Sequence, residues 1–217
     1  MTRRSLALAS ALLGAAAVAL ASGGGKTWDF QADAAGAPPA GFSFARTGQG
    51  GPGRWEVKVD PTAPAGDHVL AQVEGDRTDY RFPVAVADAP LLKDVRLDVK
   101  CKQVAGKVDQ ACGLVVRYRD ADNYYVARAN ALEDNVRLYR VVQGRRRQIA
   151  DWSGAVGRGV WHVLSLEVRG EALRVLWEGK PVIETTDRTF GDAGKVGVWT
   201  KADSITYFDE LRVTPLP

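Results

Sequence analysis

The stretch Ala111–Val142, ACGLVVRYRDADNYYVARANALEDNVRLYRVV, decides how this chain reads. It divides into three β-strands, Cys112 to Arg119, Asn123 to Asn130 and Asn135 to Val142. Between them lie Asp120-Ala121-Asp122 and Ala131 to Asp134, turns whose Asp and Asn residues favour chain reversal. Within each strand one face is apolar and the other carries Arg, Tyr or Asn. That alternation suits an antiparallel sheet with one face in a core and the other toward water or a ligand.

Outward from this stretch the pattern repeats. Strands are expected over Lys26 to Gln31, Phe42 to Arg46, Arg54 to Asp60, His68 to Glu74, Arg81 to Val86 and Lys93 to Lys102. Further on they are expected over Arg147 to Trp152, Trp161 to Arg169, Ala172 to Glu178, Pro181 to Thr186, Lys195 to Lys201 and Thr206 to Val213. Turn signals every 8–12 residues or so mark an all-β sandwich or barrel. Leu164, Leu166 and Val168 form one inward row, and Leu173, Val175 and Trp177 the matching row across the Gly170 turn. No window of the chain after the leader holds a sustained helical period. Ala63 to Gly66 and Thr186 to Gly191 could hold a helical turn at most.

Residues 1–21 read as a secretory signal peptide: a basic start at Arg3-Arg4, a Leu/Ala-rich run from Leu6 to Leu20, and the small-x-small pattern Ala19-Leu20-Ala21. Residues 22–25 form a flexible lead-in and 26–217 one domain. Export places the mature chain in the periplasm or outside the cell, with no membrane span. Without Arg3 and Arg4 the 29 Lys plus Arg fall to 27 against 26 acids, a net charge near +1. A chain so nearly neutral is not a nucleic-acid binder. Arg145-Arg146-Arg147, the one basic cluster, reads as the opening of a strand after Gly144 rather than a phosphate site.

The two cysteines, Cys101 and Cys112, have ten residues between them. They sit at the end of one strand and the start of the next. A disulfide there would close a hairpin and suits export; a reduced buried pair is the other reading.

Catalytic signatures are missing. Gly48, Gly50 and Gly53 satisfy G-x-G-x-x-G, but a strand follows them where a dinucleotide site needs a helix. His68 and His162 are the only histidines, with no H-E-x-x-H. No G-x-S-x-G elbow exists, and Ser153 is a turn serine.

Three segments carry a resemblance to a known superfamily: GLVVRYRDADNYYVARAN with VRLYRVVQGRRRQIAD, then WHVLSLEVRGEALRVLWEGKPVIE, then GKVGVWTKADSITYFDELRV. They resemble the concanavalin A-like lectin/glucanase superfamily, and within it laminin-G-like secreted proteins and the 3-keto-disaccharide hydrolase domain. The resemblance implies a jelly-roll sandwich of two curved antiparallel sheets, with a concave face that binds sugars in relatives. The E-x-D-x-(x)-E strand of family-16 glycosidases is absent; Glu74-Gly75-Asp76 lacks the final glutamate, and Glu167 and Glu171 flank a turn. A structural calcium near the last strand is also implied, for which Asp29 and Asp209 are the available carboxylates, fewer than calcium wants.

The expected role is therefore binding of a carbohydrate or glycoside by a monomeric domain with no cofactor beyond that calcium. A 3-keto-glycoside hydrolase and a non-catalytic interaction module are the alternatives. Candidate sugar contacts are Arg117, Tyr125, Arg128, Asn130, Arg137 and Tyr139, joined by Trp199 and Lys201. Arg and Asn donate to hydroxyls, and flat rings stack on a pyranose. Alternation forbids all of them sharing one face, and solvent-facing residues paired with acids such as Asp120 and Glu133 would look the same.

Overall fold

The computed structural model describes residues 24–217, so the signal-peptide reading lies outside the described residues. Fifteen strands and no helix are present among them. In chain order they are β1 (Lys26–Trp28), β2 (Phe42–Gly48), β3 (Trp55–Val59), β4 (His68–Gln72) and β5 (Arg81–Ala87). Then follow β6 (Val95–Ala105), β7 (Ala111–Asp120), β8 (Asn123–Asn130), β9 (Asn135–Val142) and β10 (Arg145–Ser153). The last are β11 (His162–Arg169), β12 (Ala172–Trp177), β13 (Lys180–Thr186), β14 (Lys195–Trp199) and β15 (Ile205–Pro215). Each expected strand is matched, with ends displaced by a few residues.

The strands make two antiparallel sheets. One runs β13-β12-β11-β6-β15-β4-β3, with β1 paired to β15; the other runs β10-β9-β8-β7-β14-β5-β2. Their inner faces share one core. Leu97 and Val99 of β6, Leu164 and Leu166 of β11 and Val175 of β12 meet Leu114 and Val116 of β7, Ala127 of β8, Leu138 of β9 and Val198 of β14. The inward rows read from alternation on β11 and β12 are in this core.

Two hairpins are closed by turns with both central residues at positive φ, Gln143-Gly144 (51° and 73°) and Glu178-Gly179 (50° and 74°). This conformation matches the twist of paired strands, and glycine takes it without strain. The β9–β10 turn therefore pairs Arg145 with Val142 and Arg146 with Val141.

Cys101 and Cys112 are joined, with Cα atoms 6.3 Å apart, and both are fully buried. The bridge does not close a hairpin. β6 and β7 lie in different sheets, so it crosses the core and ties one sheet to the other. Replacing both cysteines by alanine is expected to lower the unfolding free energy by about 2–4 kcal/mol in a urea titration. Coincident titrations of the two proteins would show that the bridge adds nothing.

Candidate functional site

The outer face of the β10-to-β2 sheet is concave, as its side-chain contacts require. β5 and β10 are five strand-to-strand steps apart. In a flat sheet that is about 24 Å, farther than an arginine and a phenylalanine reach together. Yet the Arg146 guanidinium lies 4.5 Å from the Phe82 ring. Likewise Thr47 of β2 meets the Tyr124 hydroxyl of β8 at 2.6 Å. The sheet must curl toward this face.

A second apolar cluster lines the hollow: Phe82, Val84, Val115, Tyr124, Val126, Tyr139, Val141 and Trp199. Phe82 and Trp199 stack with centroids 5.3 Å apart. Gly113 pairs with Trp199, and a Cβ there would meet the indole at 3.1 Å, so glycine makes room for the ring. Arg146 lies over this floor, 4.5 Å from Tyr139 and 5.8 Å from Trp199. Tyr80 holds it in place: its hydroxyl donates to Gly144 O (3.1 Å) and accepts from Arg146 N (2.8 Å).

Tyr139 is the centre of the polar part. The Arg128 guanidinium donates to its hydroxyl at 3.4 Å, and Arg137 stands two residues back on the same outer row of β9. Glu133 bridges Arg128 (2.8 Å) and Arg137 (3.2 Å). Burial alone would raise the Glu133 pKa; the Arg128 charge and the Asn135 bond outweigh it and hold the carboxyl ionised. Gln148 and Asp151, exposed on β10, bond to each other at 2.9 Å, and Asp151 pairs in register with Arg137. At the far end Lys201 joins Asp79 (2.7 Å) and Asp109 (2.9 Å). Burial works against the Lys201 charge, but the two carboxylates prevail and raise its pKa.

Chemically this face can bind and orient polar groups. Its glutamate is ion-paired and ionised, so it is a poor proton donor near neutral pH.

Of the expected contacts, the fold brings Arg128, Asn130, Arg137, Tyr139, Trp199 and Lys201 to the concave side. Arg128 is only 2% exposed and braced by Asn135 and Glu133; Arg137 is 33% exposed. Asn130 is spent on Asp109 and on the backbone N–H groups of Leu132 and Glu133. Trp199 is sealed beneath Arg146 rather than offered to a sugar.

Two candidates lie elsewhere. Tyr125 faces the inter-sheet core, donating to Asp187 at 2.7 Å and packing edge-on against Phe190. Arg117 would share the outer face by alternation, but β7 bulges there: its φ is 48° and the β7–β8 register breaks after Val116. Tyr118 takes the outer place, against Tyr124. Arg117 turns to the end of the sandwich, 1% exposed, and donates to the carbonyls of Lys93, Phe190 and Gly170.

Arg146, Tyr80 and Gln148 are additions that the sequence reading missed. Arg146 was within reach, because a two-residue turn at Gln143-Gly144 puts it opposite Val141, on the face of Tyr139.

The outer face of the other sheet also has a depression of about 450 Å³, lined by Arg96, Asp98, Lys100, Glu210 and Arg212. Most charges there are matched among themselves: Arg96 to Asp98 and Glu167, Arg174 to Glu184, and Lys100 to Glu210. It reads as a solvated ion-pair lattice.

The calcium expectation does not fit. Asp29 is exposed and occupied with Gln31, while Asp209 is fully buried and accepts from Ala65 N and Glu210 N. No group of three or more His, Cys, Asp or Glu among the described residues is placed to hold a metal.

No family model matches the sequence, and no curated protein matches it. Solved structures do. A carbohydrate-binding module, CBM66 from Bacillus subtilis, matches with a TM-score of 0.63 at 19% identity, covering 80% of this chain and 95% of that one. The carbohydrate recognition domain of Emp47p matches with a TM-score of 0.60 at 11% identity, over 93% and 99% of the two chains. The GH43 protein BlXynB from Bacillus licheniformis matches with a TM-score of 0.52 at 14% identity, over 75% of this chain and 37% of that one. The fold is the concanavalin A-like jelly roll.

Two outcomes follow. Arg117→Met should lower stability by about 2–4 kcal/mol in chemical denaturation, since it leaves the Lys93, Phe190 and Gly170 carbonyls without their donor; an unshifted midpoint would contradict the structural role. Burial lifts the Asp209 carboxyl to about 6. The folded chain then holds this proton more tightly than the unfolded one, so the group's stabilisation is fullest below the unfolded carboxyl pKa and is lost as pH rises through about 6. Melting temperatures of Asp209→Asn should therefore gain on wild type between about pH 4 and pH 7. A constant difference would refute the assignment.

Proposed function

We propose that this chain is an exported carbohydrate-binding domain whose ligand lies along the concave face, over Tyr139, Arg137, Gln148 and Asp151. The observation that carries this is the concavity of that face, with exposed donors and acceptors set around a braced aromatic floor. Support comes also from the neighbours in fold, two of which are a carbohydrate-binding module and a carbohydrate recognition domain by name. The cross-sheet disulfide suits a periplasmic or extracellular location. No helix among the described residues is long and apolar enough to cross a membrane. The narrower likeness to laminin-G-like proteins and the 3-keto-disaccharide hydrolase domain rests on the three sequence segments alone.

A catalytic reading draws on the GH43 neighbour, of which this chain matches only 37%. Turnover of a 3-keto-glucoside by the purified protein would establish it. On a glycan array the protein is expected to retain one class of glycan. Gln148→Ala should weaken that binding by roughly two- to tenfold, the worth of one hydrogen bond. Lys100→Ala, on the opposite sheet, should leave it unchanged. An array without signal would favour the interaction module.

A further inference from the structure

Resting on the reading of the concave face as a glycan site, we infer that the glycan it takes is anionic, bearing a ring carboxylate or a sulfate ester that lies against Arg137 and Arg146.

Charge bookkeeping on this face is the first reason. Three guanidinium groups lie on this face: Arg128 and Arg146 pack over the Tyr139 ring, and Arg137 stands two residues before it on the same outer row. Glu133 contacts Arg128 and Arg137, and Asp151 stands opposite Arg137 in register, but among the described residues no carboxylate pairs with Arg146. Its neighbours are the rings of Phe82, Tyr139 and Trp199. Burial makes that charge costly, and an unpaired desolvated cation gains most from an anion brought to it.

Unused donors are the second reason. Arg128 Nε, Arg137 Nε and Arg146 Nη1 are buried with no hydrogen-bond partner among the described residues, all on this face. Buried donors in native proteins are usually satisfied, so such a concentration marks a place where a ligand completes the bonding.

The third reason excludes the commoner alternative. A neutral pyranose is usually held by an exposed aromatic platform. Here Trp199 is fully buried, Phe82 lies beneath Arg146, and Tyr139 is 5% exposed. What the hollow presents is guanidinium. On the opposite sheet Arg96, Lys100 and Arg174 already have acids beside them.

The test compares polygalacturonate with its methyl-esterified form, and dextran sulfate with dextran, by titration calorimetry at low and high sodium chloride. Binding at least about tenfold tighter to a charged polymer than to its neutral partner is expected, weakening steeply with salt. The arm that responds tells carboxylate from sulfate. Arg137→Gln and Arg146→Gln should each lose about tenfold or more, the effect of a charge-assisted bond. Arg147→Gln, exposed on the other side of the same strand, should bind as wild type. Arg137 is partly exposed, so its variant tests the idea even if Arg146→Gln unfolds. Equal binding to charged and neutral polymers, unmoved by salt or by these variants, would overturn the anionic inference and leave the glycan site standing. Binding to no glycan, neutral or charged, would overturn both.

Discussion

Everything in this molecule depends on burying the inner rows of two sheets against each other. Apolar side chains on alternate residues of β6, β11, β12 and β15 are covered by those of β7, β8, β9 and β14. Each fully buried aliphatic side chain contributes about 1.5–3 kcal/mol. A one-residue slip would turn a whole row outward. Register is thus held hard, and what shows on the outer faces follows from it. Cys101 and Cys112 pin the same contact from within by joining neighbouring strands of opposite sheets.

The outer faces are treated differently. On the sheet that holds β6 and β11, alternate residues are long charged side chains paired with one another, a solution that asks little of the backbone. The concave sheet curls until Phe82 and Arg146, five strands apart, are in contact. Its outer row is thereby buried as well, and a second small core forms under the hollow. Arginines in such a place cannot be solvated as surface residues are. They must stack, pair with Glu133, or wait for a ligand. Function, on this reading, is a by-product of curvature.

The sequence disclosed most of the strands because period-2 alternation and turn residues are local signals. β11 and β12 could be read down to their inward rows. For the site, alternation within β8 groups Arg128 with Tyr124 and Val126, and the structure sets these residues, with Arg137 and Tyr139 of β9, on the outer side. It failed at Arg117, where a bulge with positive φ reverses the alternation within a strand that otherwise looks regular. It also set aside Arg146 as part of a basic run, although hairpin register carried the information that it faces Tyr139.

What the sequence by itself determined is the all-β sandwich, where its strands fall along the chain and which residues of each are apolar. Those properties arise between near neighbours in the chain. Tertiary structure alone decided three things. Curvature of one sheet set Arg146 over Trp199 and closed the aromatic floor. The partition of β6 and β7 into different sheets made the disulfide a cross-core tie. Asp29 and Asp209, each engaged with its own backbone partners, left no calcium cage. In each case the outcome turns on distances between strands far apart in sequence, which a pattern of alternate residues does not encode.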